Sequence, residues 1–469
     1  MNELTISLDA KASRPLYEQI YEYIKQEIQN GNLPCRERLP STRRLAQYLE
    51  VSRSTVTLAY EQLLSEGYID NQPGSGYFVN DLEGLYRLPG EESFSGQPER
   101  EMQESWRYDF SPSGVDLGSF PHNTWRKISR ELLMQENQSF FQLGAPAGEE
   151  ELRRTIAAYV RQARGVRCQP QQIIIGAGND YLLMLLNAIL GKHTYALENP
   201  TYKKAYDIFR TLGQEAVAVE TDESGMRVEA LAASGAQVAY VMPSHQYPLG
   251  IVMPIGRRQQ LLNWAAERDG RYVIEDDYDS EFRYKGKPIP ALQGLDENGK
   301  VIYIGTFSKS IAPAIRISFL VLPQGLLERY RTRGSRFSST VSRMDQKILA
   351  EFIRSGAYER HLNRMRSIYK GRHDALLEAL KEFPEIFRVS GEYAGTHLLV
   401  TLPECISEER AVEAAKQQGV RVCGVRACCI GDYKPKETML ILGYANMHEE
   451  EICQAVRLLG KLYVKLASS

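Results

Sequence analysis

Lys309 stands where an apolar run, 301–304, ends in the small-polar turn Gly305-Thr306-Phe307-Ser308-Lys309-Ser310, with Arg316 seven positions further on. A run rich in Val, Ile and Tyr reads as a buried strand. An ammonium at its mouth loses solvation, so its pKa falls and the neutral amine becomes a nucleophile able to form a Schiff base. The plainer alternative is a strand-end lysine that snorkels to water.

A second apolar run, Arg271-Tyr272-Val273-Ile274, ends in Glu275, Asp276, Asp277, Tyr278, Asp279 and Glu281. Clustered acids repel one another and require a cation. A metal would want His or Cys ligands, which this stretch lacks, so no metal is expected. A protonated ring nitrogen is the other candidate. A strand-end Asp paired with a downstream strand-end Lys suggests pyridoxal phosphate: the Asp keeps the pyridinium protonated, and the ring acts as an electron sink for the lysine-bound Schiff base.

Elements able to position these groups surround them. From about residue 108 the pattern alternates strands and helices, which implies an α/β core with a mainly parallel sheet. Gln172-Ile173-Ile174-Ile175 runs into Gly176-Ala177-Gly178-Asn179-Asp180 and then an apolar helix. Free N–H groups at that helix start make a phosphate cradle around Ala177, Gly178 and Asn179. A long helical tract is expected over 338–382. Residues 383–469 mix short strands with a final amphipathic helix and read as a small α+β subdomain.

The first 80 residues differ. Pro15 opens an amphipathic helix that stops at Asn30-Gly31, Pro40-Ser41 starts a second, and Ser52 caps a third. Two short strands joined at Gly74-Ser75-Gly76 follow. Three helices and a hairpin make a winged helix-turn-helix, mainly α with a β wing. Arg36, Arg38, Arg43, Arg44 and Arg53 gather where the second and third helices meet. Ser52, Arg53, Ser54 and Thr57 open the third helix, the end that enters the major groove in such heads, and Arg53 can reach a guanine or a phosphate. The Gly74-Ser75-Gly76 tip can approach a backbone closely. The alternative is a small helical interaction domain with a solvated arginine face. Residues 81–107 have little apolar periodicity and read as a linker, which as a flexible coil would span about 25–30 Å.

Composition bounds the rest. A chain of 469 residues should split into two or three domains. Its net charge of −2 leaves any nucleic-acid site to a local patch. No signal peptide is expected at Met1. The apolar stretch 181–190 is too short to span a membrane and contains Asn187. Seven cysteines without framework spacing fit a reduced, cytoplasmic protein.

Gly305-Thr306-Phe307-Ser308-Lys309 with Arg316 resembles the cofactor-lysine motif of fold-type-I aminotransferases. Glu275–Tyr284 and Pro243-Ser244-His245-Gln246-Tyr247-Pro248-Leu249-Gly250 are narrower and resemble the MocR subfamily of GntR-type regulators, while Leu39–Ala46, Val51–Val56 and Gly74-Ser75-Gly76 resemble the GntR-type DNA-binding head, so that the match covers nearly the whole chain. The resemblance implies a DNA-binding head over 1–80 and a pyridoxal-phosphate domain of aminotransferase class I/II type over 108–469. It implies that Lys309 carries the cofactor, Asp276 its ring nitrogen, Tyr278 its ring oxygen and Tyr202 its face, that Arg316 holds its phosphate, and that Thr306 and Ser308 also bind it. A surface tyrosine is the alternative reading of Tyr202. Most aminotransferases place an Asn where Tyr247 stands, so His245 is a candidate substitute contact or else a structural histidine. Ile441 occupies the usual carboxylate-binding Arg position, leaving Lys204, Arg421 or Arg426 for an effector carboxylate. The implied partners are an operator duplex, a small amino compound and a second copy of the chain, with heads that could rest on partner cores. A metabolic aminotransferase and a DNA-binding protein with a dead core are the competing functions.

Overall fold

The computed structural model describes residues 6, 8, 9, 14–81, 106–134, 138–284, 289–433 and 435–468. Most of the expected linker and of the extended run Leu4–Leu8 lie outside the described residues. Two compact units divide the chain, Met1–Gln103 and Glu104–Ser469.

In the first unit, α1 (Leu16–Gln29), α2 (Thr42–Tyr48) and α3 (Arg53–Ser65) precede a hairpin of β1 (Ile69–Gln72) and β2 (Gly76–Val79). Side-chain oxygens start two of the helices. Ser41 Oγ accepts from the Arg44 N–H at 3.3 Å, and Ser52 Oγ from the Thr55 N–H at 3.2 Å. The helical spacing of Ile20 and Ile24 in α1, and of Val56, Ala59, Tyr60 and Leu63 in α3, buries one face of each against the other. Arg36 adopts a left-handed φ of 67°, unusual for a side-chain-bearing residue, and its N–H donates to the Val79 carbonyl at 2.8 Å. That bond ties the loop before α2 to the wing.

The second unit is built on an eight-stranded sheet. Its strands are β4 (Ile173–Gly176), β5 (Thr194–Asn199), β6 (Glu215–Asp222), β7 (Gly225–Met226), β8 (Val238–Val241), β9 (Tyr272–Asp277), β10 (Val301–Thr306) and β11 (Ser318–Val321), in the order β4-β11-β10-β9-β8-β5-β6-β7. β3 (Tyr108–Asp109) precedes them and joins a separate ladder described below. The sheet is mainly parallel, as expected, from β10 through β9, β8 and β5 to β6. β11 runs antiparallel to both β10 and β4, and β7 antiparallel to β6. The reason is the short β10–β11 connection, which holds no crossover helix and so returns the chain antiparallel. Both sheet faces are covered. Ile173, Ile175, Phe319 and Val321 pack with the helix Glu150–Arg164, whereas Ile174, Leu320, Ile302 and Ile304 pack with the helix Asn179–Leu190. Two-sided burial explains why these strands read as unbroken apolar runs.

The helical tract expected over 338–382 is two helices, Arg343–Arg354 and Ala357–Leu380. Gly356, at φ 70°, takes the left-handed turn between them. The small subdomain carries β12 (Arg388–Ser390), β13 (His397–Thr401), β15 (Cys423–Gly424) and β16 (Met439–Gly443) in the order β12-β13-β16-β15. Residues 383–469 do not build it alone. β14 (Val420–Arg421) pairs in parallel with β3, and Tyr108, Phe110, Phe282 and Tyr369 join its core. Among the described residues no helix is long and apolar enough to cross a membrane.

Candidate functional site

β9 and β10 are parallel neighbours with Ile304 opposite Asp276 and Gly305 opposite Asp277. Their C-terminal ends therefore open at one sheet edge, and the turn after β10 delivers Lys309 beside the acids that end β9. β11 returns to place Ser318 opposite Gly176 of β4, which brings Arg316 to the glycine turn. Lys309, Asp276, Tyr278, Asn179, Tyr202 and Arg316 line one cavity of about 250 Å³. Lys204, Tyr247, Thr306 and Ser308 complete the walls named in the sequence.

Lys309 Nζ donates to the Pro112 carbonyl at 2.7 Å. Burial lowers its pKa to about 8, with the Asp279 charge opposing. Asp276 accepts from Asn179 Nδ2 at 2.8 Å and from the Tyr240 hydroxyl. Burial pushes its carboxyl up to about 6, although both hydrogen bonds pull the other way. Asp276 is thus a buried acceptor ready for a cationic N–H.

Around the glycine turn, Arg316 Nη2 lies 3.3 Å from the Ala177 carbonyl and 3.4 Å from Asp180 Oδ2. Lys204 Nζ reaches the same Asp180 oxygen at 2.5 Å. Gly178 has a φ of 87°, and a Cβ there would lie 2.3 Å from Arg316 Nη2. Only glycine leaves the guanidinium its place over the helix start.

Some assignments from the sequence fall elsewhere. His245 is buried and is not among the residues that line the cavity. Its Nδ1 lies 3.0 Å from the Tyr278 hydroxyl and 2.9 Å from Asp279 Oδ2, so it braces Tyr278 from outside the cavity. Tyr247 itself is in the wall. Arg421 and Arg426 are both outside the cavity; Asp109 lies 3.8 Å from Arg421, and Glu409 pairs with Arg426. Lys204 alone of the three effector candidates lines it. Ile441 is fully buried in β16. Sequence reasoning missed Tyr240 and Pro112. Tyr240 looks like any strand residue, and Pro112 enters from a distant segment.

The head presents a separate surface. Arg43, Arg44, Ser52, Arg53 and Ser54 are exposed, and Thr57 is half-buried. Among the described residues no carboxylate pairs with Arg43, Arg44 or Arg53. The Ser52 hydroxyl is already engaged as the α3 cap and with Ser54 Oγ at 2.8 Å, and Thr57 Oγ1 donates to the Arg53 carbonyl at 2.9 Å. Arg53 is therefore the freer group at the α3 start. Gly74 and Ser75 are exposed at the wing tip, with Gly76 beside the Arg38 side chain.

Residues 16–79 match the model of the bacterial regulatory proteins of the gntR family, and residues 115–459 that of aminotransferase class I and II. The chain is 32% identical to the probable rhizopine catabolism regulatory protein MocR of Rhizobium meliloti, over 98% of this chain and 96% of that one. It belongs to the MocR family of transcriptional regulators. The uncharacterized HTH-type transcriptional regulator YhdI of Bacillus subtilis (strain 168) is 41% identical over 100% of both chains. The MocR-type core is similar to LysN, an alpha-aminoadipate aminotransferase from Thermus thermophilus solved with N-(5'-phosphopyridoxyl)-L-leucine, at a TM-score of 0.68 and 26% identity. That match covers 79% of this chain and 95% of that one.

Proposed function

We propose that this regulator holds pyridoxal phosphate on Lys309, reads an amino compound there, and transmits the result to its DNA-binding head. The observation that carries the reading is the convergence of Lys309, Asp276 and Arg316 on one small cavity in a chain with a GntR-type head.

The residues fit the cofactor. Arg316 and the N–H groups that open the helix Asn179–Leu190 suit its phosphate, and Gly178 leaves room for that approach. Asp276 suits the ring nitrogen, Tyr202 the ring face and Tyr278 the ring oxygen. When bound, the cofactor supplies an electrophilic carbon conjugated to an electron-withdrawing ring. The chain's own groups set the rest. Lys309 becomes a neutral amine near pH 8, close to where a reversible covalent partner should titrate. Lys204, the cavity's remaining cation beside Arg316, suits an effector carboxylate once Asp180 releases it.

The working unit in this reading is a homodimer with two heads that engage two half-sites. An effector that displaces Lys309 changes what spans the cavity and so favours one arrangement of the heads. A metabolic transaminase is the second reading. The similarity to LysN favours it, and the buried Ile441 at the usual arginine position speaks against it.

The test is linkage. A panel of amino acids and simple amines is titrated by cofactor absorbance, with and without operator DNA selected from genomic fragments. A sensing regulator shows an effector affinity that operator changes by about 5–150-fold, the usual range of coupling. Equal affinities for every binding amine would sink the proposal, and steady turnover with a keto acid would favour the transaminase.

A further inference from the structure

A second cavity, of about 650 Å³, shares no lining residue with the Lys309 cavity. Its walls come from the helices Glu150–Arg164, Arg343–Arg354 and Ala357–Leu380 and from the turn that follows β9. Five arginines line it (Arg154, Arg164, Arg283, Arg354 and Arg366) against two acids, Glu281 and Glu359. Tyr159, Tyr358 and Leu362 add aromatic and apolar surface.

Four of the arginines are at least partly engaged. Arg164 pairs with Asp277 at 2.8 Å, and Arg154 with Glu150 at 2.5 Å. Arg354 pairs with Glu351, and Arg366 donates from Nε to the Glu281 carbonyl at 2.7 Å. Arg283 differs. Its Nε and Nη1 are buried and have no hydrogen-bond partner among the described residues. Lys285-Gly286-Lys287-Pro288, next in the sequence after Tyr284, contains no acid. The Glu281 carboxyl is itself pushed up to about 7 by burial and by Asp277, so it is a weak counter-ion near neutral pH.

A buried guanidinium with open donors is costly unless an anion pairs with it. Its forked N–H groups match the geometry of carboxylate and phosphate. The volume is that of small-molecule sites, which run from about 300 to about 1,000 Å³. We propose that this cavity is a second ligand site, in which Arg283 holds the carboxylate or phosphate of a small organic anion while Tyr159 and Leu362 cover its carbon skeleton. The site is independent of the amine-reading cavity, so a MocR-type regulator of this build answers to two ligands.

Equilibrium dialysis of the full-length, cofactor-loaded protein against labelled citrate, and separately against inorganic phosphate, tests this at constant sodium chloride. At least one probe should bind saturably, one per chain, and cofactor loading should leave that binding unchanged. Preference between the probes tells carboxylate from phosphate. Arg283→Met should weaken binding at least tenfold, and without anion it should melt no lower than wild type, because it removes two buried donors, Nε and Nη1, that have no partner among the described residues. A structural arginine would instead lower the melting temperature. If Arg283→Met does not fold, the rim variant Arg154→Gln/Arg354→Gln should bind at least threefold more weakly with unchanged melting. The proposal is overturned by no saturable binding of either probe, by binding that cofactor loading abolishes, by a lower melting temperature of Arg283→Met without anion, or by unaltered binding in the variants.

Discussion

Asp276 and Asp277 are consecutive in β9 and serve opposite faces of the sheet. Asp276 enters the cavity with Lys309, held by Asn179 and Tyr240. Asp277 turns away into a buried pair with Arg164 at 2.8 Å and accepts from the Tyr303 hydroxyl at 2.6 Å. The two-residue period of a strand makes one acid functional and its neighbour architectural.

Isosteric substitutions separate those roles. Asp276→Asn should weaken cofactor binding by about 1.5–3 kcal/mol, the worth of a charged hydrogen bond, with little change in folding stability. Asp277→Asn should do the reverse, costing about 3–5 kcal/mol in stability because Arg164 loses its buried counter-charge. Urea unfolding and cofactor titration on both variants decide it. Equal losses of cofactor affinity would contradict the division.

Cofactor affinity should depend on pH through Asp276. Its carboxyl lies at about 6 before binding, and a ring-nitrogen cation favours the ionised form. Binding is then strongest above about 6 and weakens as pH falls through that value. Fluorescence titrations from neutral to mildly acidic pH should show this limb in wild type and not in Asp276→Asn. Parallel profiles would assign the limb to another group.

Lys309 should be the most reactive lysine of the cofactor-free protein near pH 8. Its amine loses its proton at about 8, whereas ordinary lysines do so at ~10.4. Pulse labelling with an amine-specific reagent, followed by peptide mass spectrometry, should show Lys309 modification rising with pH and levelling off above about 8. Lysines of ordinary pKa, ~10.4, should still be rising there. A shared midpoint would mean the amine is hydrated.

Gly178→Ala should cost roughly tenfold in cofactor affinity, about one charge-assisted hydrogen bond. The added methyl would lie 2.3 Å from Arg316 Nη2 at a φ of 87°, so the guanidinium must move. Unchanged affinity in a cofactor titration would place the phosphate elsewhere.

On the head, Arg43→Ala should lower the slope of log affinity against log salt by about one if Arg43 neutralises a phosphate. Arg53→Ala should do the same, or should erode operator discrimination by roughly 1–3 kcal/mol if it reads a base. Operator and random duplexes titrated at several salt concentrations distinguish these outcomes. Wild-type behaviour in both variants would move the DNA surface off α2 and α3.

Local chemistry wrote much of this protein into its sequence. Ser41 and Ser52 announce their helices because a side-chain oxygen replaces a missing backbone acceptor, a contact made within three residues. Lys309 and the β9 acids were legible because a charge at the end of an apolar strand is costly without a task. What the sequence did not reveal depends on groups brought together from far apart. His245 stands outside the cavity wall because Asp279 and the Tyr278 hydroxyl meet it there, which spacing cannot express. Arg421 and Arg426 do not line the cavity, and their acidic neighbours Asp109 and Glu409 come from other segments. Tyr240 on Asp276 and Pro112 on Lys309 were decided by tertiary packing. A strand's apolar pattern is the same whichever way it runs, and a buried carboxylate's partners come from whichever segments the sheet order sets beside it.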